Sequence, residues 1–271
     1  YSESQIISGV TKGCQTIGCP TFVDTRLGVT GLCITGNILQ NRAYPEYVTK
    51  VVTGSLAASA HQINMLQIAA VVAGSTAVDL TATVEAAGDG TVVSQLFAAI
   101  DLAITDIKYR LRLLMNGASL EVKLPFWVLA AMRADWSRRN AVPNSNLADA
   151  EISAWFAARD AAPDFVYDWQ DAFSASGVGM GATSPVTSLP TSVSFLVYPA
   201  GTWVRAVSDV ITLNSVYDST KLATNQVTQL FTEQGWAMAQ MCPLSRVYTI
   251  GICPSGETGG QRISTNTFAC S

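Results

Sequence analysis

The segment "YPEYVTKVVTGSLAASAHQINMLQIAAVVAG" constrains this chain more than any other. Pro45 suits a first helical turn, where its missing N–H is not needed, and Glu46 sits at the positive end of the helix dipole. Val48, Val51, Val52, Leu56, Ile63, Leu66 and Val71 recur at steps of mainly three and four, and Gly74 can close the run. The spacing predicts one helix from Pro45 to Ala73, a rod roughly 40 Å long at 1.5 Å per residue. That is long for an ordinary globular domain. No strict heptad turns it into a coiled coil.

The rest of the chain is mixed. Residues 1–36, with "GCPTFVDTRLGVTGLCITG", read as strand and extended arm. A second helix is predicted from Val92 to about Met115, its stripe formed by Val93, Leu96, Phe97, Ile100, Ile104, Ile107, Leu111 and Leu114, with Asn116-Gly117 ending it. "SLEVKLP" alternates as a strand with Leu120, Val122 and Leu124 on one face. "PFWVLAAMRADWSRRN" and "LADAEISAWFAARD" read as helices, the latter burying Ile152, Trp155 and Phe156. The Gly/Pro/Ser-rich stretch 174–192 reads as an exposed loop. "VSFLVYP", "TWVRAVSDVITL" and "SRVYTIGICP" follow as strands, the last with Tyr248, Ile250 and Ile252 on one face. Helices dominate early and strands late, without regular βαβ alternation, so the fold class is α+β.

Composition narrows the function. Hydrophobic residues make up 49% of the 271 positions and charged residues only 13%, against about 25% charged in soluble domains. A chain with so little charge hides much of its outside against copies of itself or other partners. The net charge of −4 with no basic block argues against tight DNA-groove binding and polybasic membrane docking. The apolar runs Ile68 to Gly74 and Phe126 to Met132 fall far below the roughly 18 residues of a spanning helix, so no membrane role is expected. The chain opens at Tyr1, read as loss of an N-terminal segment by processing or trimming. Cys14, Cys19, Cys33, Cys242, Cys253 and Cys270 are expected as free, mostly buried thiols of a reducing cytoplasm.

No catalytic constellation stands out. His61 is the one histidine; it sits mid-helix and reads as a structural or interface residue rather than a base. "GVGMGA" (Gly177 to Ala182) lacks the strand–helix setting and the Lys-Ser/Thr of a phosphate loop. Asp164, Asp168 and Asp171 in "PDFVYDWQD" are the one carboxylate set that could serve acid/base chemistry or a divalent ion, and they read more simply as a solvated face. No cofactor or metal site is expected. In "LNSVYDSTKLATNQVTQLFTEQGW" the amides Asn225, Gln226, Gln229 and Gln234 surround no nucleophile, base or metal set. They are expected to form neutral hydrogen bonds in a joint within or between subunits, anchored by Val227, Leu230 and Phe231.

"TFVDTRLGVTGLCITGNILQNRAYPE", "LEVKLPFWVLAAMRADWSRRN" and "FLVYPAGTWVRAVSDVITLNSVYDSTKLATNQVTQLFTEQGW" resemble the major capsid proteins of tailed double-stranded-DNA bacteriophages, especially those of actinobacterial phages. The resemblance runs from about residue 21 to 253. It implies a Hong Kong 97-like capsid fold, with a spine helix, a peripheral domain, and an axial domain whose central sheet is flanked by helices. Carried onto this chain, it places an N-terminal arm or extended-loop remnant at 1–36. The peripheral domain follows at 37–123, returning at 236–271, and the axial domain at 124–235. The Gly/Pro/Ser loop becomes a candidate tip around symmetry axes. No residue matches the Lys–Asn crosslink of some members.

The implied function is structural. Copies would self-assemble into the hexamers or pentamers of an icosahedral head around double-stranded DNA, in a virion built in the host cytoplasm. Partners would be further copies, portal and scaffold or assembly proteins, with a decoration protein left open. Arg138 and Arg139, with Arg133, would serve the helix surface or intersubunit salt bridges, with loose non-specific DNA contact as the alternative. Competing readings are an encapsulin-like shell around protein cargo and, from another class, a hydrolase using Asp164, Asp168 and Asp171.

Overall fold

The long helix forms as its pattern predicts. A computed structural model describes residues 2–9, 24–81, 92–112, 119–140, 149–170, 189–241 and 244–252, with backbone alone at 137–140. In chain order these form α1 (Glu3–Ile7), β1 (Gly28–Asn37), α2 (Ile38–Ala43), α3 (Pro45–Gly74), β2 (Thr76–Asp79), α4 (Val92–Leu111), β3 (Leu120–Pro125) and α5 (Phe126–Asn140). Then come α6 (Asp149–Ala157), β4 (Ala161–Val166), β5 (Ser192–Pro199), β6 (Trp203–Val207), β7 (Ile211–Val216), α7 (Ser219–Leu222), β8 (Gln226–Gln240) and β9 (Arg246–Gly251). The expected arm is thus partly helical: α1 occupies Glu3–Ile7, where a serine cap and Gln5 supply a local capping box. The Gly/Pro/Ser loop and "GVGMGA" lie outside the described residues except for the loop's last few positions.

Strands pair into two sheets. One has the order β2-β9-β5-β3-β4, and its β2–β9 and β3–β4 pairs are parallel. Period-2 alternation sends Leu120, Val122 and Leu124 to one face, all without exposed surface. They are joined there by Val193, Phe195, Tyr248 and Ile250. Helices α4, α5 and α6 cover this face with Leu96, Ile100, Ile107, Met132, Ile152 and Phe156, and the whole forms one buried cluster. Phe97 stacks on Trp155 with ring centroids 3.8 Å apart, which closes the outer side of that cluster.

The second sheet is antiparallel. β8 runs through its middle, with β1 along one edge and β6 and β7 in tandem along the other. The pairing groups residues differently from the boundaries expected at 123/124 and 235/236. β2 and β9 join the sheet of β3–β5, and β8 passes unbroken through residue 235. The parallel β2–β9 pair links residues about 170 positions apart, a contact that no local pattern announces.

Helix α3 lies along the second sheet. Its half-buried side chains follow a 3–4 spacing, yet only Gln67 and Val71 are fully buried in its 30 residues. Val51, Leu56 and Leu66 of the sequence stripe face outward, at 38–40% exposure. By length and composition α3 is apolar enough to cross a membrane, which a count of unbroken apolar runs misses because Gln62, Asn64 and Gln67 interrupt it. Its far end packs instead on the first sheet, where Val71, Leu196, Tyr198 and Val247 form a second small core with Ile68, Val72, Trp169, Trp203 and Met238 around it.

Tyr248 supplies a test of the core. Its phenol oxygen is buried without a hydrogen-bond partner. Burial raises its pKa; the nearby Arg246 guanidinium opposes this, but it is held by Asp106 and makes no ordinary hydrogen bond to the phenol. A raised native pKa means stability is full below the unfolded value near about 10 and falls as pH climbs past it. Tyr248→Phe is expected to leave stability unchanged or up by about 1 kcal/mol at neutral pH, and to shallow the alkaline loss. Urea unfolding on both sides of that pH checks both.

Candidate assembly surface and the joint between the sheets

The chain passes between the two sheets at three places: from α3 to β2, from β5 to β6 and from β8 to β9. All three crossings meet at one cluster. Ser75 donates from Oγ to the Val71 carbonyl at 2.7 Å and lies 2.6 Å from Ser245 Oγ. Trp203 donates from Nε1 to Ser245 Oγ at 3.0 Å. With one proton per hydroxyl, the donors run in one direction, from Trp203 to Ser245 to Ser75 to Val71. Thr202 binds the Pro199 carbonyl through Oγ1 at 2.7 Å, and its own carbonyl accepts from Met241 N at 2.8 Å. Ser245 and Thr202 are 1% and 2% exposed, so these bonds are made away from water, where an unpaired hydroxyl would be costly. Gly74 completes the contact: a Cβ there would stand 2.6 Å from the Trp203 ring.

This joint within the chain lies outside the stretch 213–236 that was expected to form one within or between subunits. Residues 213–236 form the end of β7, α7 and most of β8, and α7 with the start of β8 lies at the opposite end of the second sheet from Trp203. Asn225 takes a left-handed backbone (φ 56°), a conformation that Asn tolerates better than most residues, and its carbonyl accepts from Ile38 N at 3.0 Å. Gln226 is exposed opposite Asn37. Gln229 is the extra residue of a β-bulge, since Ile34 faces Leu230 and Thr35 faces Thr228. The bulge turns its side chain onto Gly36, where its Nε2 is buried without a partner. Gln234 is half-buried opposite Thr30. Among the described residues none of these four side chains makes a hydrogen bond within the chain. Val227 and Leu230 are the buried anchors, at 3% and 2% exposure. Arg138 and Arg139 lie in α5, and their side chains fall outside the described residues.

Asp164 and Asp168 of the carboxylate set turn to separate partners. Asp164 pairs with Lys123 at 2.7 Å and Asp168 with His61 Nδ1 at 2.6 Å, while Asp171 is outside the described residues. The His61 contact ties the middle of α3 to the segment after β4, giving this histidine a structural partner. Beside it, the Gln170 amide takes both backbone groups of Ser194, at 2.6 and 2.7 Å, as a strand neighbour would. Among the described residues no group of three or more His, Cys, Asp or Glu is placed to hold a metal. Cys33 is a free thiol but exposed, unlike the buried thiols expected; the other five cysteines lie outside the described residues.

What the geometry offers is surface. Tyr47 on α3 is 58% exposed and Tyr44 beside it 65%; β7 is exposed at all six positions, with Ile211 and Leu213 at 55% and 48%. Contiguous apolar exposure beyond a few hundred Å² marks interaction sites on soluble proteins.

No protein-family model and no curated protein matches the sequence. Solved structures do match the fold. A chain of "Mycobacterium phage Che8" aligns over 92% of this chain and 80% of its own length, at a TM-score of 0.50 and 10% identity. A chain of "The capsid of Myoviridae Phage XM1" aligns over 88% and 81%, at a TM-score of 0.53 and 12% identity. With sequence identity this low, what is shared is the backbone arrangement. The chain has the α+β fold of these two phage structures.

Proposed function

We propose that this protein is a structural major capsid protein, whose copies build the hexamers and pentamers of an icosahedral phage head around double-stranded DNA. The observation that carries this reading is the fold shared with the phage XM1 capsid chain. It is supported by a 30-residue apolar helix that buries only two residues within its own chain. Such a surface suits a subunit that gains its remaining burial from neighbours, since assembly interfaces run to about 2,000–5,000 Å². Rings and shells need heterologous contacts that close by rotation, so each copy presents two different faces.

The two sheets suggest how the body divides. The helix-backed sheet, with residues 75–200 and 244–252, would be the axial domain, and α3 with the second sheet, 24–74 and 203–241, the peripheral one. The Trp203–Ser245–Ser75 cluster would then be their joint. The work is mechanical rather than enzymatic, carried out in the virion after assembly in the host cytoplasm, with portal and scaffold or assembly proteins as further partners. Electron microscopy of the expressed full-length chain is expected to show closed particles or capsomers. A monodisperse monomer under all assembly conditions would sink the reading, and particles filled with an enzyme instead of nucleic acid would redirect it to a cargo shell.

A further inference from the structure

The second sheet has two unlike faces. Residues directly opposite one another across strands share a face, as do residues two apart along a strand. The row Leu32–Thr232–Thr212, with Ile34 and Leu230 beside it, looks toward α3, and Leu230 is buried there. The alternate rows look away from α3. Cys33, Phe231 and Leu213 form one, and Gly31, Glu233 and Ile211 the next, with Val29 and Val204 further along. Val29, Ile211, Leu213 and Val204 are 64%, 55%, 48% and 46% exposed. Nothing among the described residues covers this face beside the Cys33 row.

We propose that this bare face docks a second copy of the chain, an inference that rests on the shell reading above. Three observations select that occupant. β8 is 15 residues long, and the face is three strands wide mainly where β1 and β7 both flank it, over Thr228–Glu233, and two strands wide over most of the rest, so it covers about 600 Å². That falls at the lower end of the roughly 600–1,000 Å² each partner gives to a standard interface. Its rows carry a single charge, Glu233, whereas DNA would require a basic face. The chain itself also carries cations without carboxylate partners among the described residues, Arg42 and Lys50, able to meet Glu233 from a neighbouring copy.

Cys33 makes the test direct, because a free, exposed thiol lies in the middle of the face. Assembled particles and unassembled protein would be separated by sedimentation and treated, undenatured, with a bulky maleimide. Modification would be read on the Cys33 peptide by mass spectrometry, so the other cysteines do not enter. Labelling at Cys33 is expected to be at least tenfold lower in particles. Leu213→Asp, a charge placed at a half-exposed position, is expected to abolish particles while the monomer keeps its circular dichroism and melting temperature. Equal labelling of Cys33 in particles, or wild-type particle yield from a folded Leu213→Asp chain, overturns the docking face but leaves the shell reading intact. If that variant fails to fold, the wild-type labelling decides alone. A wild-type chain that forms no particles overturns both.

Discussion

Trp203→Ala is expected to cost about 3 kcal/mol of unfolding free energy and to lower the temperature at which assembled particles fail. Truncating a buried tryptophan typically removes about 3–5 kcal/mol, and Trp203 is only partly buried, which puts it at the lower end. Two contacts go together: the ring against Gly74, and the N–H bond to Ser245 that starts the donor chain. A domain's whole margin is about 5–15 kcal/mol, so the loss is a large fraction of it. Trp203→Phe keeps most of the ring and drops the N–H, and should cost about 1 kcal/mol. Urea unfolding of the unassembled chain measures both. If Trp203→Ala unfolds like the wild type, the cluster is not what joins the sheets.

Asp135→Ala is the second large effect, expected at about 2–3 kcal/mol. Asp135 is 4% exposed, and its Oδ2 accepts from Val93 N at 2.8 Å. A carboxylate brought by α5 therefore meets one of the backbone donors at the start of α4, where the helix dipole also favours negative charge. Removing it leaves a buried donor unpaired, and hydrogen bonds to charged groups are worth about 1.5–3 kcal/mol. Asp135→Asn keeps the acceptor and should cost roughly half as much. Stability measured by denaturant, with helix content by circular dichroism, separates the two; equal stability of Asp135→Ala and wild type would remove the carboxylate from this role.

Asp135 also shows where sequence reading stops. In "RADWSRRN" it looks like one more polar residue on a helix, because its partner lies 42 positions earlier. The Asn225–Gln234 stretch shows the opposite case. Its density of amides suggests a joint, but which backbone positions they take, a bulge at Gln229 and a left-handed turn at Asn225, shows only in the folded chain. The serines that do form the joint, Ser75 and Ser245, stand alone in sequence. The signals that could have found them are the Gly74 that ends a long helix beside Ser75 and the glycine turn Gly201 before Trp203, whose φ of 81° suits glycine. The Asp164–Asp168 pair separates because one lies within β4 and the other beyond its end, so each finds its own partner, Lys123 and His61.

The sequence by itself determined the elements: the long helix from Pro45, the alternation of β3 and β9, the stripe of α4 and the α+β class. These depend on periodicity and on the backbone habits of Pro and Gly, which act within a few residues. Tertiary structure alone decided which strands share a sheet, where the chain crosses between sheets, and which face of the second sheet α3 covers. Those outcomes depend on contacts between residues far apart, such as Thr76 with Arg246 and Leu213 with Phe231. Their energies come from what each side chain meets after folding, so no local pattern encodes them.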